Sequence, residues 1–346
     1  MIKRYLILTL ILCLFGGIHS NAQTWTQLGA DIDGEAAGDH FGCSVSLSSD
    51  GSTVAIGAIY NAGNGTDAGH VRIYKNINGT WTQQGGDIDG EAAGDYSGLS
   101  VSLSSDGSTV AIGAIYNDGN GSNAGHVRIY KNISGTWIQQ GSDIDGEALA
   151  DQSGWSVSLS SDVSTVAIGA IYNDGNGHVR IYKNISGTWT QQGLDIDGEA
   201  AGDNSGRSVS LSSDGSTVAI GAVYNDGNGA NAGHVRVYEN INGTWTQQGA
   251  DIDGEAPGDK SGLSVSLSSD GSTVAIGAYL NDGNGTDAGH VRIYKNISGT
   301  WTQQGSDIDG ETVGDASGWS VSLSSDGSTV AIGAYGNDGN GSNAGH

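Results

Sequence analysis

The chain has 346 residues, 60 of them glycine and one proline, and 38 acidic side chains face 13 lysines and arginines for a formal charge of −25. A field of that sign argues against nucleic acid and anionic membrane surfaces as partners, and suits solubility or cation binding. Glycine at this level would fit a low-complexity chain, but a strict repeat with strand patterning inside it argues against disorder.

Residues 1–22 read as a secretory signal peptide. Lys3 and Arg4 form a positive start, Tyr5 to Phe15 an apolar run, and Ser20-Asn21-Ala22 a small-x-small cleavage site. The run is too short for a retained membrane helix. Cys13 follows Leu12 rather than the small residue a lipid anchor wants, so ordinary export is expected, to a secreted or cell-surface location in a bacterial envelope, with no membrane insertion after cleavage. Residues 23–346 then form one repeat domain. Only Cys43 remains in it, which rules out an internal disulfide.

Trp25, Trp81, Trp137, Trp189, Trp245 and Trp301 are spaced 56, 56, 52, 56 and 56 residues apart. The short interval arises because Asn173 to His178 lacks the four residues Ser122 to Gly125 of the preceding unit, which places that segment in a surface loop. One unit carries four strand-like runs. Ser44–Ser48 alternates Val45 and Leu47 with serines, and Thr53–Ala58 is apolar or small throughout. Asp50-Gly51 between them is a hairpin signal. His70–Lys75 and Thr80–Gln84 complete the set, joined by the loops 61–69 and 76–79, both of turn chemistry. Asn117-Asp118-Gly119-Asn120-Gly121 and its copies read as tight irregular turns. Four strands in a unit of this length predict an all-β fold, a β-propeller of four-stranded blades. Six repeats are visible and the last is incomplete, stopping at His346 where a Val-Arg-Ile-Tyr strand should follow. The expectation is a fragment of a six- or seven-bladed ring.

Phe41-Gly42, the Ser-Val-Ser-Leu-Ser strand and Ile56-Gly57-Ala58 resemble the FG-GAP repeat of integrin-α-like propellers, six times over nearly the whole exported chain. Only the first unit keeps the phenylalanine; the others have Ser97-Gly98, Ser153-Gly154, Ser205-Gly206, Ser261-Gly262 and Ser317-Gly318, and none has the terminal proline. The resemblance implies a propeller used for adhesion, with calcium in a loop between the first two strands of some blades. Here that loop is Ser49-Asp50-Gly51-Ser52, too short for a cage of several oxygens, so the family's calcium site is not carried over.

Three sets of residues could carry chemistry. The acidic links offer Asp31, Asp33, Glu35 and Asp39, repeated as Asp87, Asp89, Glu91 and Asp95. Oxygen-only donors around a glycine suit Ca²⁺, against the plainer reading that they cap turn amides. His70, His126, His178, His234, His290 and His346 occupy one repeat position, where a hydrogen bond from each imidazole to a nearby Asp or Ser is the economical role. The positions that vary most between copies are His40, Tyr96, Gln152, Asn204, Lys260 and Ala316, and, three residues on, Cys43, Leu99, Trp155, Arg207, Leu263 and Trp319. The first set enters the innermost strand and is expected to rim the central channel as a ligand-binding surface, with Arg207 the misfit in the second. The reading is a non-catalytic binding or adhesion module taking an extracellular protein or glycan. The alternatives are an exported lyase or hydrolase on polysaccharide with its site at the axis, or a purely structural repeat. Val163 replaces the turn glycine of the other copies, and the turn is expected to adapt with Val163 at negative φ.

Overall fold

A computed structural model describes residues 26–346; the leader and Trp25 lie outside them. In the first blade β1 (Phe41–Leu47), β2 (Thr53–Ala58), β3 (His70–Ile77) and β4 (Thr80–Gln83) pair antiparallel in that order. A two-residue fifth strand, β5 (Ile88–Asp89), pairs with the start of β3, His70 opposite Asp89 and Val71 opposite Ile88. This strand was not expected. It turns the acidic link back along the blade, so the link is part of the sheet rather than a tether. Five such sheets follow one another, and a sixth has two described strands, Ser317–Leu323 and Val330–Ala334.

The blades bury one another. The innermost strands pack in sequence, β1 against Ser97–Leu103 and so on to Ser317–Leu323, which sets them around a common axis. The core between the first two blades joins Ala55, Val71, Ile73 and Ile88 to Leu103, Val110 and Ile112. Every residue of β2 is buried, as its small and apolar composition predicts. The two faces of the innermost strand do different work. Its apolar face packs on the preceding blade, so Leu103 is 7% exposed, whereas Val45 and Leu47 of β1, against which no blade of the described residues packs, are 64% and 59% exposed. Its serine face bonds to the following blade: the Ser44 hydroxyl donates to the Gly98 carbonyl at 2.6 Å, and the Leu103 amide donates to Ser46 Oγ at 2.9 Å. The Gly pair of the repeat follows from this closeness, because a Cβ on Gly57 would run into the Gly98 carbonyl. Farther out, the indoles of Trp81, Trp137, Trp189, Trp245 and Trp301 each donate to a carbonyl about one repeat back, as Trp137 does to Gln84 at 2.6 Å.

The hairpin turn corrects one expectation. Val163 sits at φ +62°, not at negative φ. Its amide donates to the Ser160 carbonyl at 3.0 Å, Asp162 accepts from Ser160 Oγ and the Ser164 amide, and the Ser161 amide donates across to Ser213 of the next blade. The same bonds hold the glycine copies, so the turn keeps its shape and the valine bears the strain. The shortened loop does adapt, closing as a 3₁₀ turn, Asn173–Gly175.

Candidate functional site

Two layers stand at the end of the propeller where β2 leaves for β3. The inner one surrounds the axis. His40, Tyr96, Gln152, Asn204, Lys260 and Ala316 all adopt left-handed backbone, with φ of 53°, 56°, 55°, 53°, 59° and 54°. The geometry is pinned: the Tyr96 amide donates to Asp67, and Leu99 donates back to the Tyr96 carbonyl. Glycine would relieve such a position at no steric cost, yet every copy carries a side chain, and a different one each time. Three of these side chains, His40, Tyr96 and Lys260, meet the aromatic residues that follow β2-type strands. His40, Tyr60, Tyr96 and Tyr116 form a row of edge-to-face rings with centroids 4.6, 5.1 and 4.9 Å apart. Lys260 Nζ lies 3.8 Å above the Tyr224 ring, a cation–π contact.

Members of the second variable set join them. The Arg207 guanidinium stacks 4.8 Å from the Trp155 ring, and Trp319 is wedged between Tyr279 and Tyr335. Burial pushes the Arg207 guanidinium below its ordinary value, with Tyr224, Tyr279 and Tyr172 pulling the other way. Desolvation likewise raises the Tyr96 hydroxyl and lowers the Lys260 ammonium. Tyr172, Tyr224, Trp319 and Tyr335 remain exposed. A cleft of about 470 Å³ opens beside Tyr224, lined also by Glu199, Asp203, Asn225 and Asp226. The rim expected from the variable positions is therefore a series of aromatic and cationic clusters that take in His40, Tyr96, Arg207 and Lys260, while Asn204 and Ala316 are buried. The tyrosines were missed, although the order Ile59-Tyr60 in early copies against Tyr279-Leu280 and Tyr335-Gly336 in late ones is a signal the repeats themselves contain.

The outer layer takes up the acidic links, but not as one link's carboxylates gathered together. Asp31 accepts from Gln27, and Asp39 caps the Ala36 amide and accepts from Asn61, which also reaches Glu35. Asp95 repeats the cap on Ala92 and the bond from Asn117. Asp33 is exposed, and Asp89 serves through its backbone, pairing with His70 and accepting Arg128 Nη2 at 2.7 Å. Glu35 and Asp87, from successive links, converge on the histidine between them, as do Glu91 and Asp143 on His126. The same Glu–His–Asp group recurs at His178, His234 and His290. Each imidazole is 1% exposed and neither nitrogen has a hydrogen-bond partner, which corrects the hydrogen bond to Asp or Ser expected from sequence. Burial drives these histidines below their ordinary value, His126 to about 4, despite the nearby carboxylates, so they are neutral near pH 7.

The arginine two residues on differs by blade. Arg72 reaches both Glu35 and Asp87, whereas Arg128, Arg180, Arg236 and Arg292 each donate to a link carbonyl.

Comparison with known proteins agrees with this architecture. The FG-GAP repeat matches residues 31–74, 88–130, 189–238, 245–294 and 301–346, more than half of the chain. The chain belongs to the FG-GAP repeat family. No curated protein sequence gives a significant match. Among solved structures, this FG-GAP propeller is similar to the periplasmic gluconolactonase PpgL of Pseudomonas aeruginosa. The TM-score is 0.59 at 17% identity, over 85% of this chain and 78% of that one. It is also similar to the hydrazine synthase of Kuenenia stuttgartiensis, with a TM-score of 0.56 at 13% identity, over 84% and 82% of the two chains. At these identities the likeness is one of fold.

Proposed function

We propose that this FG-GAP propeller is a non-catalytic binding or adhesion module, exported to the cell surface or secreted, that takes an extracellular protein or glycan on its axial rim. One observation carries the reading: six positions with one and the same left-handed backbone carry six different side chains, and three of them, His40, Tyr96 and Lys260, pack on tyrosine rings at the rim. Exposed aromatic rings interleaved with Arg207 and Lys260 suit sugar rings or planar side chains, and the variation between blades supplies an asymmetric surface on a symmetric frame.

The propellers of gluconolactonase and hydrazine synthase belong to enzymes, which keeps an exported polysaccharide-acting enzyme as the second reading. It would draw on His40, Tyr96, Arg207 and Lys260. Among the described residues no hydrogen bond joins any two of these, they stand on separate blades, and the Tyr60 ring lies between His40 and Tyr96. The mature protein applied to arrays of glycans and of extracellular proteins should bind a defined subset. Replacing Tyr96, Gln152 and Lys260 together by alanine should abolish that binding. Turnover of a polysaccharide that disappears with His40→Ala would decide for the enzyme.

A further inference from the structure

The histidine layer is repeated without variation where the rim varies, and its chemistry is unspent. In the second blade His126 Nδ1 lies 3.8 Å from Glu91 Oε2 and 3.9 Å from Asp143 Oδ2, and the three donor atoms lie within 4.8 Å of one another. These separations are too long for hydrogen bonds. They are the separations of ligands around a shared ion: a triangle with such sides has a point roughly 2.1–2.5 Å from all three corners, near the bond lengths of about 2.0–2.2 Å that zinc makes to imidazole and carboxylate. An imidazole whose Nδ1 is unpartnered at 1% exposure is costly unless something occupies that point. The carboxylates are accessible from outside, with 43% of Glu91 and 31% of Asp143 exposed, so an ion has a way in.

We propose that the Glu–His–Asp groups between successive links are binding sites for a first-row divalent cation such as Zn²⁺, one per blade, that tie each link to the blade it encloses. One nitrogen and two carboxylate oxygens form the donor set of zinc and its neighbours rather than of calcium, which takes oxygen alone. Water completes the coordination. The arginines grade the sites. In blades 2 to 5 the guanidinium is held by a link carbonyl and stands 3.4 to 3.9 Å from the glutamate oxygen facing away from the histidine. In the first blade Arg72 instead pairs with both carboxylates and occupies the charge that the ion would neutralise. Blades 2 to 5 therefore bind and the first blade binds weakly.

The test is metal content and thermal melting of the mature protein, stripped with chelator and then dialysed against Zn²⁺, Co²⁺ or Ca²⁺. The expected result is one Zn²⁺ or Co²⁺ in each of blades 2 to 5, visible d–d absorption from Co²⁺, and a raised melting temperature that Ca²⁺ does not reproduce. Asp143→Asn and Glu91→Gln should each remove one ion while the stripped protein keeps its wild-type circular dichroism; Asp33→Asn, outside the groups, should remove none. His126→Gln adds a check on the nitrogen ligand through the Co²⁺ spectrum. No stoichiometric ion with the imidazoles satisfied by water, an equal response to Ca²⁺, or an unchanged ion count in both Asp143→Asn and Glu91→Gln would overturn the proposal.

Discussion

The rim and the histidine layer lie at the same end of the propeller and use opposite strategies. At the rim the backbone is constant and the side chains differ, from Tyr96 to Lys260 on the same φ near +55°. In the layer behind it the side chains are constant from blade to blade and only the arginine of the first blade departs. A repeat that must hold its blades together cannot vary the residues that touch two blades at once. It can vary a residue whose side chain points off the end of the innermost strand. Recognition is expected where variation is tolerated, and stability, with or without an ion, where it is not.

That contrast can be broken hardest at the contact the blades share. Gly113→Ala would place a methyl against the Gly154 carbonyl of the next blade, and is expected to cost about 3 kcal/mol or more, read as the denaturation midpoint. Gly38→Ala, with open space around it but φ +95°, should cost less and leaves the blade contact intact.

The histidine layer gives the next largest effect through pH. His126 titrates at 6.5 when unfolded and at about 4 in the native protein. Because the folded value is the lower one, the stability tied to the neutral imidazole is fully present above pH 6.5 and is lost as the pH falls from there to about 4. The other four buried histidines shift in the same direction, so melting temperature in chelator should fall steeply across that window. The turn aspartates act lower: Asp50, held to about 2 first by the Ser48 hydroxyl, loses its contribution only as the pH falls from 3.8 to about 2. A flat stability profile between pH 6.5 and 4 would contradict the neutral, buried histidines.

A single outer bond is worth less. Trp137→Phe removes the indole donor to the Gln84 carbonyl but keeps an aromatic ring, and should cost about 1 kcal/mol. The smallest change expected is a gain. Val163→Gly releases a strained φ of +62° and gives up some apolar contact with the core between the second and third blades, for a net stabilisation of about 1 kcal/mol by chemical denaturation. A loss instead would mean that the valine's packing outweighs its backbone strain.

Much of this fold was legible in the sequence because a repeat carries its own comparison. The Ser-Asp-Gly hairpin, the fully buried β2 and the surface deletion at Asn173 each followed from local pattern, and six copies fixed the propeller. What sequence could not supply was the identity of neighbours. Glu35 and Asp87 are 52 residues apart and meet only because β5 folds the second link back beside His70. A two-residue strand leaves no periodic signal, so the acidic residues were grouped by link instead of by blade. The alternation of Val45 and Leu47 with serines marked the apolar face of the innermost strand but not the partners of its serines, which are the bonds between blades. Val163 failed for a related reason: the turn is held from the next blade, which no local rule describes. The variable positions were legible, but the tyrosines beside them were not, since they lie well away along the chain and only the turn after β2 brings them to His40, Tyr96 and Lys260.

The central claim is that recognition belongs to the rim and not to the layer behind it. It is tested most directly by measuring, on the same array hit, the affinity of the mature protein, of the Tyr96→Ala, Gln152→Ala, Lys260→Ala triple variant, and of Asp143→Asn. The account predicts a loss of at least about 100-fold for the rim variant, as expected when several central contacts go together, with wild-type affinity for Asp143→Asn. Retained binding in the rim variant, or a loss confined to Asp143→Asn, would contradict it.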